Sequence, residues 1–408
     1  MNDLARKLYY LSIFLLLIPS ISFPFFSSAH TLGGYILLIL FFFLAPKIFL
    51  KGKINIDKKL AVIFLLFFIS QSISVIGALN ISAFISSFID LIFSAVLIFL
   101  SFYFINSRKD LDNVIKVLVL MGIVNIIFQT FILLFPDSFY YLGQLLINKD
   151  YLSSVSADIS RGRIAVADYN EILIPIIAYF WIKNEKKIYL LPFFFLISVF
   201  SFLSNFRTKV LMLFFASVFS VLFLFKDRKK YLVFVLIVPV IFYLLYISQD
   251  YSVVNRLLLE NRADVATITG RFDRWSMAFD MGLSSPLIGV GLGNYYDYLP
   301  PQFQKSYSSN SLAREEFNSA ATDPHNIFFR EFAETGVLGL SAFILLFLFF
   351  AKQDFYTLKT KNLFSKSLII SFWTLFIFSV FNPTGVISYS ALFWVLRVLI
   401  SRSINLSS

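Results

Sequence analysis

Apolar runs long enough to cross a lipid bilayer recur along the whole chain. A helix needs roughly 17 to 25 predominantly apolar residues to span the hydrocarbon core, and we predict about twelve such spans. Hydrophobic residues make up 58% of the chain, above the fraction usual in a soluble globular protein. The predicted fold class is therefore an all-α polytopic membrane protein, with a single membrane domain over residues 1–408. The predicted spans are residues 9–28, 32–50, 60–78, 83–106, 114–135, 165–183, 187–203, 208–225, 231–248, 336–351, 367–382 and 386–401.

Lysine and arginine are concentrated in one set of the connectors between these spans. Of the 35 Lys and Arg residues, 23 lie in the N-terminal segment, the C-terminal end and the connectors at 47–59, 107–116, 183–187, 226–230 and 352–366. Short loops rich in these residues face the cytoplasm under the positive-inside rule. We therefore predict that both termini are cytoplasmic. The net charge of +11 then reflects membrane topology, which removes the main support for a nucleic-acid partner.

The outer face is predicted to carry two long segments, residues 136–164 and residues 249–335, and the second connects the ninth and tenth spans. Nine of the 12 remaining basic residues are Arg. Because a guanidinium group is a planar fork suited to bidentate phosphate binding, these segments indicate a site for an anion. Pairing with acidic residues of the same face is the alternative. The nine are Arg161, Arg163, Arg207, Arg256, Arg262, Arg271, Arg274, Arg314 and Arg330.

Residues 271–283 have the pattern of an amphipathic helix in the larger outer segment. Phe272, Phe279 and Leu283 fall with Trp275 on one apolar stripe, which predicts a helix that lies on the bundle or on the membrane surface. Arg271 borders the stripe and is predicted to face a protein-lined cavity. Arg274 is predicted to lie further toward solvent.

Arg207 stands in the very short outer turn between the seventh and eighth spans. A charge tethered so close to two helix ends cannot move far from the bilayer boundary, and ionisable groups at that depth usually serve a site. The sequence therefore predicts a functional role for Arg207.

The stretch TDPHNIFFREFAETG, residues 322–336, contains one of only two histidines. Asp323 is a good N-cap and Pro324 suits the first position, so a helix is predicted from here to a stop or hinge at Gly336. On that helix His325 shares a face with Phe329 and Phe332, and Arg330, Glu331 and Glu334 lie on the other. His325 is then either a general base or a partly buried residue bonded to the backbone.

Other candidate sites are weaker. The chain has no cysteine, which excludes disulfides and Cys-ligated zinc, and no metal site or cofactor is predicted. Asp110 and Asp112 form an acidic D-x-D in a short connector predicted to be cytoplasmic, which does not favour a metal site. Asp90 lies inside the fourth span, where an acid is costly, and it would be the lead residue of a proton-coupled transporter.

Residues 270–340 resemble the C-terminal signature of the O-antigen ligase and O-antigen polymerase superfamily. The similar stretches are GRFDRWSMAFDMGLSSPLIGVGLGNY and PHNIFFREFAETGVLGL, with an Arg, a nearby Trp, a Pro-led G-x-G turn and His-Asn ahead of Glu-x-Gly. Upstream, RGRIAVADYNE and LSNFRTK are similar to weaker segments of the family, although Phe206 departs from the small or hydroxyl residue that commonly precedes the Arg. The resemblance implies a GT-C-like helical bundle whose outer helices roof a cavity open to lipid.

The resemblance also implies a reaction and its participants. It would be a metal-independent glycosyl transfer on the periplasmic face of the bacterial inner membrane, from undecaprenyl-diphosphate-linked glycan to a sugar hydroxyl. His325 would be the base, Arg271 and Arg207 would hold the diphosphate, and Arg161 or Arg163 would assist. Arg274 and Asn326 are the remaining predicted substrate contacts.

The identity of the acceptor separates two enzymes within this class. A ligase transfers the finished chain to lipid A-core, and a polymerase joins lipid-linked repeat units. The large segment between the ninth and tenth spans favours ligase, and polymerase is the alternative. A flippase or solute transporter is disfavoured because few charges lie near mid-membrane. Membrane lipids are expected partners, and binding of a chain-length regulator is left open.

Overall fold

The structure, a computed structural model, describes residues 2–17, 29–51, 57–135, 170–183, 190–203, 207–225, 262–298, 324–381 and 391–406. All regular secondary structure in these ranges is helical. Short 3-10 helices at Ser74–Gly77 and Asn170–Ile172 accompany the α-helices. The α-helices are α1 (Asn2–Leu17), α2 (Ala29–Lys51), α3 (Lys58–Ile73), α4 (Ile81–Phe104), α5 (Arg108–Leu134), α6 (Leu173–Lys183), α7 (Leu190–Leu203), α8 (Arg207–Leu224), α9 (Arg262–Ser284), α10 (Ile327–Leu358), α11 (Leu363–Phe381) and α12 (Ala391–Asn405).

The described residues contain 5 helical segments long and apolar enough to cross a membrane. They correspond to the predicted spans at 60–78, 83–106, 114–135, 336–351 and 367–382. Three shorter apolar helical stretches overlap further predicted spans. The span predicted at 231–248 lies outside the described residues, so the prediction of about twelve spans is supported only in part. The 5 segments are Lys58–Gly77, Ile81–Phe104, Arg108–Ile132, Ile327–Leu358 and Leu363–Phe381.

Polar contacts bring several of the basic segments to one end of the bundle. Arg6 of α1 lies 3.5 Å from Asp110, measured from Nε to Oδ1, beside the turn between α4 and α5. At the other terminus, Arg402 of α12 donates to Asn106 in that turn over 3.2 Å. We call this the basic end. The described parts of the two terminal helices therefore meet at the same end, and its assignment to the cytoplasm remains a prediction.

Asp110 of the D-x-D sequence caps a helix. Its carboxylate accepts hydrogen bonds from the backbone N–H of Ser107, at 3.1 Å, and from the Ser107 hydroxyl, at 2.7 Å. In return, the Ser107 side chain accepts from the Asp110 backbone N–H, which completes a capping box at the start of α5. Such a box satisfies two donors that a helix N-terminus would otherwise leave unpaired.

The end of the bundle away from the basic end is built from α3, α4, α9 and α10. In the described residues, α10 packs along both α3 and α9. The segment at 285–298 follows α9 and lies against the 3-10 turn that links α3 to α4, where the Leu292 N–H donates to the Ser74 hydroxyl at 3.1 Å. This arrangement places the outer signature of the sequence on top of two membrane-spanning segments.

Candidate active site

A backbone break at Gly336 divides α10 into an outer and a membrane-spanning part. Gly336 has φ 65° and ψ −163°, a conformation that is essentially restricted to glycine. The predicted hinge is therefore confirmed. Within Ile327–Leu358 two helices therefore meet at Gly336, as the sequence predicts for the helix before this glycine and the apolar run after it.

The segment at 285–298 satisfies the backbone groups that the break leaves without partners. The N–H groups of Val290 and Gly291 each donate over 2.9 Å to the carbonyl oxygens of Ala333 and Glu334. In the other direction, the N–H groups of Val337 and Leu338 donate to Pro286 and Leu287, at 2.8 and 3.2 Å. Four hydrogen bonds to the segment thus use the N–H and C=O groups that an unbroken helix would pair as Val337 with Ala333 and Leu338 with Glu334. A buried N–H or C=O group without a partner would cost about 1–3 kcal/mol.

Glycines allow this close approach of backbone to backbone. Gly289 and Gly291 have φ of 71° and 99°. A Cβ atom on Gly291 would lie 2.6 Å from Cα of Ala78, and one on Gly289 would overlap the backbone of Glu334. The closely spaced glycines therefore form a turn that packs directly against α10 and against the turn after α3.

The turn between α3 and α4 also forms hydrogen bonds with the segment at 285–298. The Asn294 side-chain oxygen accepts from the Asn80 backbone N–H at 2.7 Å, and its amide nitrogen donates to the Asn80 carbonyl at 3.2 Å. Gln71, near the end of α3, donates to Glu331 of α10 at 2.9 Å. In the first five spans the sequence pattern shows only apolar runs, so this support from α3 and α4 was not predicted. The polar residues clustered at the end of the third span were the available signal.

The side of α9 opposite the apolar stripe packs against the protein. Met277, Ala278 and Met281 are buried against Tyr295 and neighbouring residues of 285–298 and α10. Arg274 lies on this side and is only 5% exposed, so the prediction that it lies toward solvent was wrong. The Tyr295 hydroxyl donates to the backbone carbonyl of Arg274 at 3.3 Å, which fixes that turn of α9.

His325 precedes α10 and is not part of it. The N-cap is Asn326, whose side-chain oxygen accepts from the N–H groups of Phe328 and Phe329 at 3.0 and 3.3 Å. His325 itself has φ 51°, the one positive φ of a non-glycine residue in the described chain. The predicted helix start at Asp323 and Pro324 was therefore wrong, because Asn326 is the residue that caps the helix. A left-handed conformation of this kind costs roughly 1–2 kcal/mol and is typical of residues constrained at functional sites.

Two arginines act electrostatically on His325. Burial, followed by the charges of Arg274 and Arg271, lowers the pKa of His325 to about 4. The packing of Trp275 on Phe329 holds α9 beside the half-buried histidine, so both arginine charges act on its imidazole. The imidazole is therefore neutral near pH 7, and its ring nitrogens include one acceptor for a proton.

The aromatic residues of the outer part of α10 pack against α9. The rings of Phe329 and Trp275 stack with centroids 5.6 Å apart, and those of Phe332 and Phe279 lie at the same separation. These contacts hold the two helices together beside His325. The predicted grouping of Phe329 and Phe332 on one side of α10 is consistent with this packing.

The two carboxylates predicted on the face of this helix away from His325 are buried. Glu331 is 5% and Glu334 is 3% exposed. Glu331 accepts from Gln71, whereas Glu334 accepts from Arg330 Nε at 3.3 Å and from the Tyr295 backbone N–H at 3.4 Å. The carboxylates therefore link α10 to α3 and to the segment at 285–298.

Three predicted site residues cannot be placed by their side chains. Arg207 begins α8, but its side chain is outside the described residues, as are Arg161 and Arg163. The structure thus brings together Arg271, Arg274 and His325, with Asn326 next in sequence. Asn326 uses its side-chain oxygen as the helix cap, so a substrate contact would involve its amide nitrogen. In the part of the chain described, no group of three or more His, Asp or Glu residues comes together as a metal site would require.

Comparison with known proteins identifies one family in this part of the chain. A family model described as O-antigen ligase matches residues 192–344, somewhat less than half of the sequence. The resemblance to the O-antigen ligase and polymerase superfamily is therefore confirmed over a range that contains α9, the Gly336 break and His325. A search of curated proteins gave no match.

Proposed function

We propose, from the O-antigen ligase match and the arrangement of His325, Arg271 and Arg274, that this membrane protein is a glycosyltransferase acting on a lipid-linked glycan. The donor is undecaprenyl-diphosphate-linked glycan and the acceptor is a sugar hydroxyl at the periplasmic face of the inner membrane. The observation that carries the proposal is the packing of α9, which holds Arg271 and Arg274, against the start of α10 beside His325, within the range that the O-antigen ligase family model matches. The reaction needs a base and anion-binding groups close together, and His325 with Arg271 and Arg274 would supply them.

The reaction is a displacement at the anomeric carbon. Neutral His325 takes the proton of the acceptor hydroxyl as its oxygen bonds to the anomeric carbon, and the carbon–oxygen bond to the diphosphate breaks. The diphosphate leaves with the bonding electrons, and Arg271 and Arg274 offset its growing charge. Arg207, Arg161 and Arg163 are proposed as further contacts of the diphosphate, and Asn326 as a contact of the acceptor. No metal or cofactor is needed in this scheme.

Donor binding would also change the basicity of His325. A bound diphosphate offsets the charges of Arg271 and Arg274, which removes two causes of the depressed pKa. The histidine therefore becomes a stronger base when the leaving group is in place. This coupling would suppress proton abstraction before the donor has bound.

This coupling predicts a specific pH dependence. The acid limb of kcat/KM reports His325 in the enzyme without substrate, where its pKa is about 4, and the limb of kcat reports the complex. Because the complex has the higher pKa, the acid limb of kcat should lie at higher pH. In Arg274→Gln the limb of kcat/KM should move upward toward that of kcat. Rates of transfer measured from about one pH unit below the pKa of about 4 up to neutral pH provide the test.

Arg108→Gln is the control for this pH experiment, because Arg108 lies at the basic end, where it donates to Tyr179 at 3.2 Å. Arg108→Gln should leave the acid limb of the kcat/KM profile unchanged. An Arg274→Gln profile that superimposes on that of the parent protein would show that the Arg274 charge does not act on the base.

The role of the Arg271 fork is tested by a substitution that keeps the charge. Arg271→Lys should lower transfer by about 10- to 100-fold, because a lysine cannot form the paired charged hydrogen bonds, worth roughly 1.5–3 kcal/mol each. The assay uses purified protein, lipid-linked glycan and lipid A-core acceptor. Arg108→Lys should retain the parental rate. Parental turnover in Arg271→Lys would rule out bidentate binding by this residue.

The glycans that a deletion strain accumulates show whether the protein is a ligase or a polymerase. Long polymer left on the lipid carrier would identify a ligase, which is our proposal. Single repeat units on lipid A-core would identify a polymerase. The large outer segment at 249–335 is the feature that favours the ligase.

A further inference from the structure

The apolar stripe of α9 lies on the surface of the protein. Phe272, Phe279 and Leu283 are 58%, 46% and 55% exposed, although all three are large hydrophobic residues. The opposite side of the helix is the one packed by Met277 and Ala278. Trp275 and Phe279 of the stripe contact Phe329 and Phe332 of α10, yet Phe272, Phe279 and Leu283 keep about half of their surface exposed to whatever surrounds the molecule.

The polar residues of α9 lie on a separate side. At about 100° per residue, Asp273 and Asp280 fall roughly 80–100° from Phe272 around the helix axis. Neither aspartate is deeply buried. The helix thus has a packed side, an apolar exposed side and a polar side, which is the pattern of a helix that lies in a membrane interface.

Other exposed apolar residues extend the stripe around the same end of the bundle. The Leu338 N–H bonds to the Leu287 carbonyl, and a Cβ atom on Gly77 would touch the carbonyl of Gly289, so the parts that carry these residues are in contact. We call this surface the apolar collar. Its members on the turn after α3, on 285–298 and on α10 are Ile76 (75% exposed), Leu79 (64%), Leu287 (66%), Val337 (46%) and Leu338 (45%).

The collar is continuous with the exposed apolar surface of a helical segment that is long and apolar enough to cross a membrane. Val337 and Leu338 begin the membrane-spanning part of α10, whose Leu345 and Leu348 are also exposed, at 52% and 60%. A protein partner would have to cover the collar on three separate elements. A fluid bilayer can cover an apolar surface that is spread over several elements.

We propose that α9 is an interfacial helix, with Phe272, Phe279 and Leu283 inserted into the edge of the lipid layer opposite the basic end. Arg271 and Arg274 of the same helix are thereby held at the depth of lipid headgroups. The occupant of the collar is the bilayer. This inference depends on surface exposure and packing, and it does not require the proposed reaction.

Spin labels can test the insertion directly, because the chain contains no cysteine that would need to be removed. Phe279→Cys and Leu283→Cys place a nitroxide on the stripe, and Asp273→Cys places one on the polar side of the same helix. Leu345→Cys is the reference for a lipid-exposed position. Each labelled protein is studied in nanodiscs of phosphatidylethanolamine and phosphatidylglycerol by power saturation with oxygen, which partitions into lipid, and with a water-soluble nickel chelate.

The proposal expects the two stripe labels to behave like the label at Leu345, with higher accessibility to oxygen than to nickel. The label at Asp273 should show the reverse order. Nickel accessibility at Phe279 and Leu283 equal to that at Asp273 would place the stripe in water and overturn the proposal. Low accessibility to both reagents with dipolar broadening would show that a second copy covers the stripe, which also overturns it. Thermal unfolding and gel filtration of each variant confirm that the labelled protein is folded.

Discussion

Replacing His325 with asparagine should reduce glycan transfer by about 10²- to 10⁴-fold, the range that a general base contributes. Asparagine has no group that can act as a base near neutral pH, yet it tolerates the left-handed conformation that His325 adopts at φ 51°. The substitution therefore removes the imidazole with little effect on the backbone. The measurement is the initial rate of transfer by purified protein, with donor and acceptor saturating.

His30→Asn is the matched control, since His30 is the only other histidine of the sequence. It lies in α2, away from the signature in sequence, and its replacement should leave the rate unchanged. Both variants should have the thermal stability of the parent protein. A fully active His325→Asn would remove the base from the proposed mechanism, whereas a loss of activity accompanied by unfolding would be resolved by His325→Gly, which also accepts positive φ.

Replacing Gly336 with alanine should destabilise the protein by about 2–5 kcal/mol, from a strained backbone and steric overlap together. The backbone at φ 65° and ψ −163° disfavours any side chain. A Cβ atom there would also lie 2.5 Å from the carbonyl carbon of Leu287. The contact would push the segment at 285–298 away from α10. We expect a clear drop in melting temperature in detergent and a loss of transfer activity.

Gly270→Ala is the control for this experiment. Gly270 lies inside α9, and an added Cβ atom would meet nothing within 4 Å. Alanine is favoured over glycine in a helix by about 0.8–1 kcal/mol, so this variant should be as stable as the parent or more stable. Equal melting temperatures for the two variants would show that the break at Gly336 is not a structural requirement.

Hydropathy and the position of Gly336 were sufficient to predict several membrane spans and the break in α10. The spans predicted at 60–78, 83–106 and 367–382 have counterparts in the structure because uninterrupted apolar sequence has few alternatives to a membrane helix. The hinge at Gly336 and the helix at 271–283 were also predicted correctly. Glycine after a run of helical residues is a local signal, and so is an apolar repeat of helical period.

The start of α10 was misplaced because the sequence offers two capping residues three positions apart. Asp323 followed by Pro324 is as good a local signal as Asn326, and only the fold selects Asn326. Because Asn326 is the cap, His325 lies before the helix. The helical-phase argument that turned it toward Phe329 and Phe332 therefore does not apply, although the histidine does lie close to the charges of α9.

The burial of Glu331, Glu334 and Arg274 could not be read from helical periodicity. Periodicity divides a helix into an apolar and a polar face, on the assumption that the polar face meets water. Here polar residues of α9 and α10 contact Gln71 and Tyr295, and much of the apolar stripe of α9 stays exposed. In a membrane the usual relation between apolar sequence and burial is weakened, because lipid accepts an apolar surface as readily as a protein core does.

The sequence alone determined that this is a helical membrane protein, that its polar signature follows long apolar runs, and that Gly336 interrupts a helix. Those properties depend on transfer of side chains into lipid and on backbone sterics, both of which are local. The tertiary structure decided that Arg271 and Arg274 act on His325, and that the segment at 285–298 holds the break in α10. Those properties depend on contacts between residues 40 or more positions apart, such as Val290 with Ala333 or Gln71 with Glu331, which no local pattern specifies.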